Sequence, residues 1–302
     1  TAVVLPLLIW FQKSYRKVKM NYLLLLLPIM TQAHISIRIK ASDDAENGKV
    51  ECDGSDENII TDQDRNTFRI SDEILKAAAT KHFGSRPNSV YLKDPTPMGE
   101  VYKNNNWNQV TRRLSALWGT IQGVSSQPVI MNKQVFTNNS TNEVKYMAQI
   151  SQIIEDTVSQ TWSTSHEFSL GQEISYSCEF AGVGVSGSTS ISYTASFGQE
   201  TTQSKAITVG SSTGIEVPLK PGEVAEAYLS ADRGTMHIEV QYLAMLRGGA
   251  VCRYENQHKG HNNWKADINN LLKAVDLPRQ LFSKQHIEVG FYSHVNAVVK
   301  SV

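Results

Sequence analysis

Two neighbouring stretches near the middle of the chain alternate apolar and polar residues with a period of two. From 168 to 180 the apolar residues occupy the even positions, interrupted by Gln172, and from 190 to 197 they occupy the odd positions. Side chains of a strand point alternately to its two faces. Each stretch therefore predicts a strand with one buried face, and together they predict an amphipathic hairpin over residues 166–204.

The segment between the two arms, residues 181–188, is unusually apolar for a turn and contains Val183 and Val185 among its glycines. Each predicted arm is longer than the usual globular strand of about 5–6 residues. Tilted strands cross a bilayer with roughly 9–11 residues. The pattern leaves two alternatives open, a hairpin that inserts into membranes and a pair of strands in an ordinary sandwich.

Long runs of alternating and β-branched residues predict further strands. They cover 129–137, 143–161, 224–246 and 287–302. The first two runs flank a polar loop as the arms of a hairpin would. We expect a mainly β (α+β) fold with long antiparallel sheets.

Helices are expected in two places. Ser71 precedes an acidic first turn and an alanine-rich stretch, and Gly84 follows it, which predicts a capped helix over 72–80. A second, short helix is expected over 264–275. The acidic segment 34–64 lacks the spacing of a calcium loop and is interpreted as a solvated loop.

Three regions follow from these patterns. Residues 1–33 are interpreted as an upstream segment and a secretory signal, because a short apolar core from Leu23 to Met30 ends at small residues. Residues 34–127 form a predicted N-terminal α+β region, and residues 128–302 a predicted β domain that carries the hairpin. We therefore expect a secreted, extracellular protein.

Charge and cysteine content restrict the class of protein. The chain has 29 basic and 29 acidic residues, so it has no general excess of positive charge for nucleic acid. Its three cysteines, Cys52, Cys178 and Cys252, allow at most one disulfide, whose pairing the sequence does not reveal. Asn138 and Asn139 each begin an N-glycosylation sequon.

Catalytic chemistry has little support in the sequence. It contains no phosphate loop, dinucleotide fingerprint, nucleophile elbow or zinc-protease helix, so we nominate no catalytic residue, metal or cofactor. His258 and His261 could form half of a metal site, but a polar loop is the better interpretation. Arg112 and Arg113 could be a protease site, although a surface pair explains them more simply.

The region 128–252 resembles the aerolysin-like β-pore-forming proteins, of the epsilon-toxin and mosquitocidal-toxin type. The resemblance depends on Trp162 and Ser163 before the hairpin, its Ser/Thr-rich arms and apolar tip, and the turn at Pro221 and Gly222. Within that family, residues 94–146 look most like spherulin-type proteins and moth follicular epithelium yolk proteins.

This resemblance implies a hairpin that is stored on a long sheet and released to build a barrel from several copies. The residues it would turn toward lipid are Phe168, Leu170, Ile174, Tyr176, Phe180, Val183, Val185, Ile191, Tyr193, Ala195 and Phe197. Those it would turn toward the lumen are Glu167, Glu173 and Glu179. The implied partners are further copies of the chain and membrane lipid or a cell-surface receptor.

The likeness to yolk proteins implies a different role. A secreted egg component can keep the fold without attacking membranes. The competing interpretation is therefore a yolk storage or extracellular-matrix protein whose hairpin never leaves the sheet.

Overall fold

The computed structural model describes residues 35–163, 172–180, 188–210 and 214–302. The strands are β1 Ile35–Ala41, β2 Lys49–Asp53, β3 Ser55–Ile59, β4 Ser89–Tyr91, β5 Thr111–Thr137, β6 Val144–Ala148, β7 Ser151–Ser163, β8 Glu173–Phe180, β9 Thr189–Ser196, β10 Thr201–Gly210, β11 Ile215–Leu219, β12 Val224–Arg247, β13 Gly249–His258, β14 His261–Asp267 and β15 Gln280–Ser301. The helices are α1 Asp62–Thr67, α2 Asp72–Phe83, α3 Val101–Asn104 and α4 Ile268–Ala274.

A six-stranded sheet with the order β10-β7-β15-β12-β5-β3 is the scaffold, and we call it the long sheet. Its central strand β12 has 24 residues and pairs antiparallel with both β15 and β5 along nearly its whole length. Even-numbered residues of β12 from Met236 to Leu246 are buried and define the inner face. Odd-numbered residues over the same length form the outer face, because side chains alternate along a strand.

A second sheet with the order β2-β1-β8-β9 packs its apolar side on the inner face of the long sheet. We call it the hairpin sheet, because β8 and β9 are the two arms predicted from the sequence. Strand β1 pairs antiparallel with β2 and parallel with β8. Residues from the N-terminal region and from the hairpin therefore share one sheet.

Two smaller sheets complete the fold. At one end of the long sheet, β11 and β6 pair and enclose a second apolar core with β12. At the other end, β14, β13 and β4 pair close to helices α2 and α4. Strands hold 64% and helices 12% of the described residues, which confirms the mainly β fold with long antiparallel sheets.

Helix α2 confirms the capped helix predicted from Ser71. The Ser71 side chain accepts a hydrogen bond from the backbone N–H of Ile74. The helix ends at Gly84, whose φ of 81° lies in the left-handed region that glycine adopts without a Cβ clash. The second helix, expected over 264–275, is shorter than predicted. Trp264 lies in strand β14, where it pairs with Cys252 of β13, and α4 begins only at Ile268.

Two other predictions from the sequence are wrong. The acidic segment 34–64 is not a solvated loop, because Ile35, Ile37 and Ile39 alternate with polar residues and are buried in β1. The strands on either side of the polar loop at 138–143 do not form a hairpin. Instead, β5 pairs with β12 and β3, whereas β6 pairs with β11.

Candidate membrane-insertion hairpin

The two arms of the hairpin are strands of eight residues each that pair antiparallel. Tyr176 lies opposite Tyr193, and Ser177 lies opposite Ser192. The predicted lipid-facing residues Phe168, Leu170, Val183 and Val185 and the predicted lumen-facing Glu167 lie outside the described residues.

The paired arms have one apolar and one polar face, as their alternation predicts. Of the predicted lipid-facing residues, Tyr193 is half-buried, and six are buried in the present fold: Ile174, Tyr176, Phe180, Ile191, Ala195 and Phe197. Glu173 and Glu179 are exposed on the opposite face. The described arms therefore combine a covered apolar face with a hydrated polar face.

Aromatic rings pack between the two arms and between the arms and the long sheet. Tyr176 and Tyr193 stack with their centroids 4.9 Å apart and their planes at 12°. The Phe197 ring lies 4.4 Å from that of Trp162 on β7 and 5.3 Å from that of Tyr242 on β12. Such pairs add about 0.5–1.5 kcal/mol each to the burial of apolar area.

Buried polar side chains also join the hairpin to the long sheet. Gln285 on β15 donates from Nε2 to the Tyr176 hydroxyl oxygen at 2.8 Å and to Gln160 Oε1 at 3.1 Å. The Tyr242 hydroxyl donates to Gln285 Oε1 at 2.8 Å, and the Tyr193 hydroxyl donates to Gln160 Oε1 at 3.2 Å. Burial raises the pKa of Tyr176 to about 12 and also raises that of Tyr242, so both side chains are neutral phenols: Tyr242 donates to Gln285, and Tyr176 accepts from it.

A buried arginine fixes the start of the first arm. Arg112 on β5, only 3% exposed, donates from Nη1 to the side-chain oxygen of Gln172 at 2.9 Å. Its guanidinium lies 3.3 Å from Asp64 and 3.8 Å from Asp56, and both carboxylates are buried. The interpretation of Arg112 as half of a surface pair is therefore wrong. Gln172, which interrupts the apolar pattern, is a hydrogen-bond acceptor.

A buried carboxylate lies beneath the start of the second arm. Asp156 on β7 accepts a 3.3 Å hydrogen bond from the Thr189 hydroxyl, and its Oδ1 has no partner among the described residues. Burial raises the pKa of Asp156, although Thr189, the backbone of Tyr292 and the charge of Lys205 offset part of the effect. Lys205 also donates to the backbone oxygen of Ser190 at 3.1 Å.

Strand β1 covers the free side of the first arm. Its seven residues pair in parallel with the segment Ile174–Phe180, whereas β9 lies at the edge of the hairpin sheet. Strand β1 also pairs with β2, so it connects the first arm to the segment Lys49–Asp53.

The remaining candidate residues are placed as follows. Cys52, Cys178 and Cys252 are free thiols, and burial raises the pKa of Cys52 to about 11 and that of Cys252 to about 12. Cys178 lies on the buried face of β8, as its position in the pattern predicts.

His258 is the last residue of β13 and pairs with His261, the first residue of β14. The described part of the chain has no group of three metal-binding side chains.

The two sequons differ in their surroundings. Asn138 is 1% exposed, and its amide nitrogen donates to the backbone oxygens of Asn142 and Leu219, each at 2.8 Å. A glycan on that nitrogen would replace one of these two hydrogen bonds, and glycosylation of Asn138 stays a prediction. Asn139 is exposed, and its glycosylation stays a prediction.

Sequence reasoning missed the polar residues that hold the hairpin in place. Asp156 and Gln160 share the phase of the buried residues Ile154 and Val158 in β7, and Gln285 shares the phase of the buried residues of β15. A polar residue at an apolar position of an alternating strand was the available signal.

No helix within the described ranges is long and apolar enough to span a membrane.

Comparison with known proteins places this geometry in a family. The chain is 35% identical over 258 residues to U-megalopygitoxin(8)-Mc8 of Megalopyge crispata, covering 85% of this chain and 88% of the relative. It is also 35% identical to U-megalopygitoxin(8)-Mo12 of Megalopyge opercularis, covering 93% and 97%. No protein-family model matches the sequence.

Among solved structures, the chain resembles parasporin-2, a Bacillus thuringiensis toxin that recognizes cancer cells. The TM-score is 0.63 at 13% identity, over 82% of this chain and 99% of parasporin-2, so the likeness concerns the fold. Together with the stored hairpin and the long sheet, these comparisons show that the chain belongs to the U-megalopygitoxin(8) family and has the fold of the aerolysin-like β-pore-forming proteins.

Proposed function

We propose that the protein is secreted and forms membrane pores by releasing its hairpin after several copies assemble. The observation that carries this proposal is the two-faced hairpin, whose apolar side is stored against the long sheet while its polar side faces water. A strand pair cannot cross lipid alone, because its outer backbone groups would lose their hydrogen bonds. The hairpins of several copies therefore have to pair into one closed β-barrel, which has no free edges.

In this proposal the side chains on the apolar face of the hairpin, six of them buried and Tyr193 half-buried in the present fold, turn toward lipid. Ile174, Tyr176, Phe180, Ile191, Tyr193, Ala195 and Phe197 take that role, with Phe168, Leu170, Val183 and Val185 assigned from the sequence alone. Glu173 and Glu179, with Glu167 from the sequence, line the lumen and favour the passage of cations. The proposed function does not require the protein to catalyse a reaction.

The proposal is tested by dye leakage from liposomes, with detergent-resistant oligomers examined on a gel. Val183→Asp should abolish leakage and leave the melting temperature unchanged, because a charge at the tip has to cross the hydrocarbon. Ser192→Asp, on the polar face of the second arm, is the control that should retain leakage. Absence of leakage from the wild-type protein at every pH, with and without limited proteolysis, would reject the proposal.

A storage or matrix role in the egg is the second candidate, and the likeness of residues 94–146 to yolk proteins favours it. The β1–β8 ladder and the buried network around Gln285 suit a hairpin that stays in place. This candidate predicts neither leakage nor oligomers, and it predicts accumulation of the protein in egg tissue.

A further inference from the structure

The outer face of the long sheet carries an apolar patch at the end near α4. Trp118 on β5 is 52% exposed and Phe282 on β15 is 47% exposed, on opposite sides of β12. Trp118 pairs with Gln241 of β12 and Phe282 pairs with Leu243, and the half-buried Leu243 and Met245 continue the apolar surface toward the end of β12. We call Trp118, Leu243, Met245 and Phe282 the outer patch. Hairpin and outer patch occupy opposite faces of the same sheet.

A groove with a volume of about 520 Å³ adjoins the outer patch. It lies between the end of β12, helix α4 and the start of β15, and its lining includes Arg247, Arg279, Asn269 and Phe282. The described residues that line it include no carboxylate. Two arginines and an aromatic residue are therefore among the residues that line the groove, and the Arg247 guanidinium also lies 3.9 Å from Glu57.

The charge around the outer patch is positive. The outward positions level with residues 239–247 of β12 carry Arg113, Arg247 and Lys284, and Arg279 adds a fourth cation. Two carboxylates oppose them among the described residues of these strands and of β3. Glu239 lies 2.9 Å from Lys284, and Glu57 lies 3.9 Å from Arg247. The strands alone therefore have a formal surplus of one positive charge, and the exposed carboxylate of Asp276 offsets Arg279 in the segment before β15.

We propose that the outer patch and its groove dock the protein on an anionic phospholipid surface before the hairpin is released. In this arrangement a headgroup phosphate lies between Arg247 and Arg279, since guanidinium groups bind phosphate oxygens in bidentate fashion. Trp118 and Phe282 enter the interfacial layer, where aromatic rings are enriched in membrane proteins. Lysine and arginine near an anionic leaflet add attraction that salt weakens.

A second copy of the chain fits this surface less well. Two copies that met through the same patch would bring two positive surpluses together, and the centres of protein interfaces are depleted of charge. An anionic leaflet complements both the positive charge and the exposed aromatic rings.

The proposal is tested by flotation of the protein with vesicles of phosphatidylcholine alone and of phosphatidylcholine mixed with phosphatidylserine. Wild-type protein should bind the anionic vesicles and lose binding as sodium chloride rises. The double variant Arg247→Gln, Arg279→Gln should bind roughly thirtyfold more weakly. The double variant Trp118→Ser, Phe282→Ser should bind roughly tenfold more weakly.

Two matched controls lie on the same outer face at a distance from the groove. Arg233→Gln removes an exposed arginine of β12, and Ile130→Ser removes an exposed apolar side chain of β5 that is 67% exposed. Both should bind like the wild type, and all variants should keep the wild-type melting temperature because the altered side chains are not buried.

Several outcomes would overturn the proposal. They are equal binding to neutral and anionic vesicles, full binding by the Arg247/Arg279 variant, equal loss in the Arg233 control, or a change in sedimentation that reveals a dimer through this face. Competition by inorganic phosphate beyond that of chloride at equal ionic strength would assign the groove to free phosphate instead.

This docking proposal rests on the proposed function, but the two proposals can be rejected separately. Vesicle flotation tests the docking surface, and dye leakage tests pore formation. A protein whose hairpin is covalently tied to β1 should still float with anionic vesicles while it releases no dye. Flotation without leakage from the untied protein would reject pore formation alone, whereas leakage without charge-dependent flotation would reject this docking surface alone.

Discussion

The side-chain amide of Gln285 donates a 2.8 Å hydrogen bond to the hydroxyl oxygen of Tyr176 and thereby joins the long sheet to the stored hairpin. Gln285 is fully buried, and its carbonyl oxygen accepts from Tyr242 on a neighbouring strand. One side chain thus satisfies polar groups on both sides of the contact between the two sheets. Buried polar groups are costly when unpaired, so the stored position is the one in which these tyrosines are satisfied.

Gln285→Ala should lower the free energy of unfolding by about 3 kcal/mol, because it leaves a cavity and removes partners from buried polar groups. Urea unfolding measures this loss. Gln280→Ala, at an exposed position of the same strand, is the control and should change the free energy by less than about 0.5 kcal/mol. Similar losses in both variants would contradict the role assigned to the network.

A disulfide between β1 and the first arm should block leakage until it is reduced. Ser36 and Ser175 are partners in the parallel β1–β8 ladder. Neighbouring strands lie about 4.8 Å apart, within the range that a disulfide spans. Liposome leakage by Ser36→Cys, Ser175→Cys should be absent under oxidising conditions and return with dithiothreitol.

The matched control for this lock links the two arms to each other. Ser177 and Ser192 face one another with their hydroxyl oxygens 3.4 Å apart. A disulfide between cysteines at these positions leaves the hairpin free to move as a unit, so leakage should persist without reductant. Leakage by the fully oxidised Ser36/Ser175 variant would show that the β1–β8 ladder does not have to break.

Asp156 should make the stored hairpin less stable as pH rises. Burial raises the pKa of Asp156 in the folded state, so the folded protein binds this proton more tightly than the unfolded chain. Stability therefore increases as pH falls through the folded pKa toward the unfolded value, and it decreases as the carboxylate ionises. Lys205 and Thr189 offset part of this penalty.

Asp156→Asn removes that ionisation. The variant should be more stable than wild type above the folded pKa, and the difference should shrink on acidification, as measured by urea unfolding across pH. Glu155→Gln changes an exposed carboxylate of the same strand and should keep the wild-type dependence. A constant difference between Asp156→Asn and wild type at every pH would contradict the assignment.

Arg112→Met should destabilise the protein by about 3–5 kcal/mol, because it leaves two buried carboxylates without their cation. It also removes one of two donors to the side-chain oxygen of Gln172, the other being Asn58 Nδ2 at 3.1 Å. Thermal or urea unfolding measures the loss, and Arg113→Met, at the half-buried neighbouring position, should have a much smaller effect. Equal stability of the two variants would show that the buried charge cluster does not hold the arm.

The local features of the fold were accessible from the sequence. Alternation with a period of two predicted β8, β9, β12 and parts of β5, β7 and β15, because it depends only on the geometry of one extended chain. The serine and glycine that bound α2 predicted that helix for the same local reason. The aerolysin-like pattern of the hairpin was likewise readable from residue order.

The sequence did not predict which strands pair with one another or which residues cover their buried faces. Alternation shows that one face of a strand is buried but not what covers it, so the parallel pairing of β1 with β8 was missed. Asp156, Gln160 and Gln285 are polar residues at positions where the alternation of β7 and β15 predicts apolar ones, and the sequence does not show that they are buried hydrogen-bonding groups. Arg112 was interpreted as a surface residue for lack of any sign of its buried partners.

The sequence by itself therefore determined the two arms of the hairpin, the strand β12, the capped helix and the apolar face of each arm, because these depend on neighbours along the chain. Only the tertiary structure decided that the hairpin is stored between β1 and the long sheet and held by buried hydrogen bonds and charges. Those contacts join residues far apart in sequence, and the register of distant strands selects them.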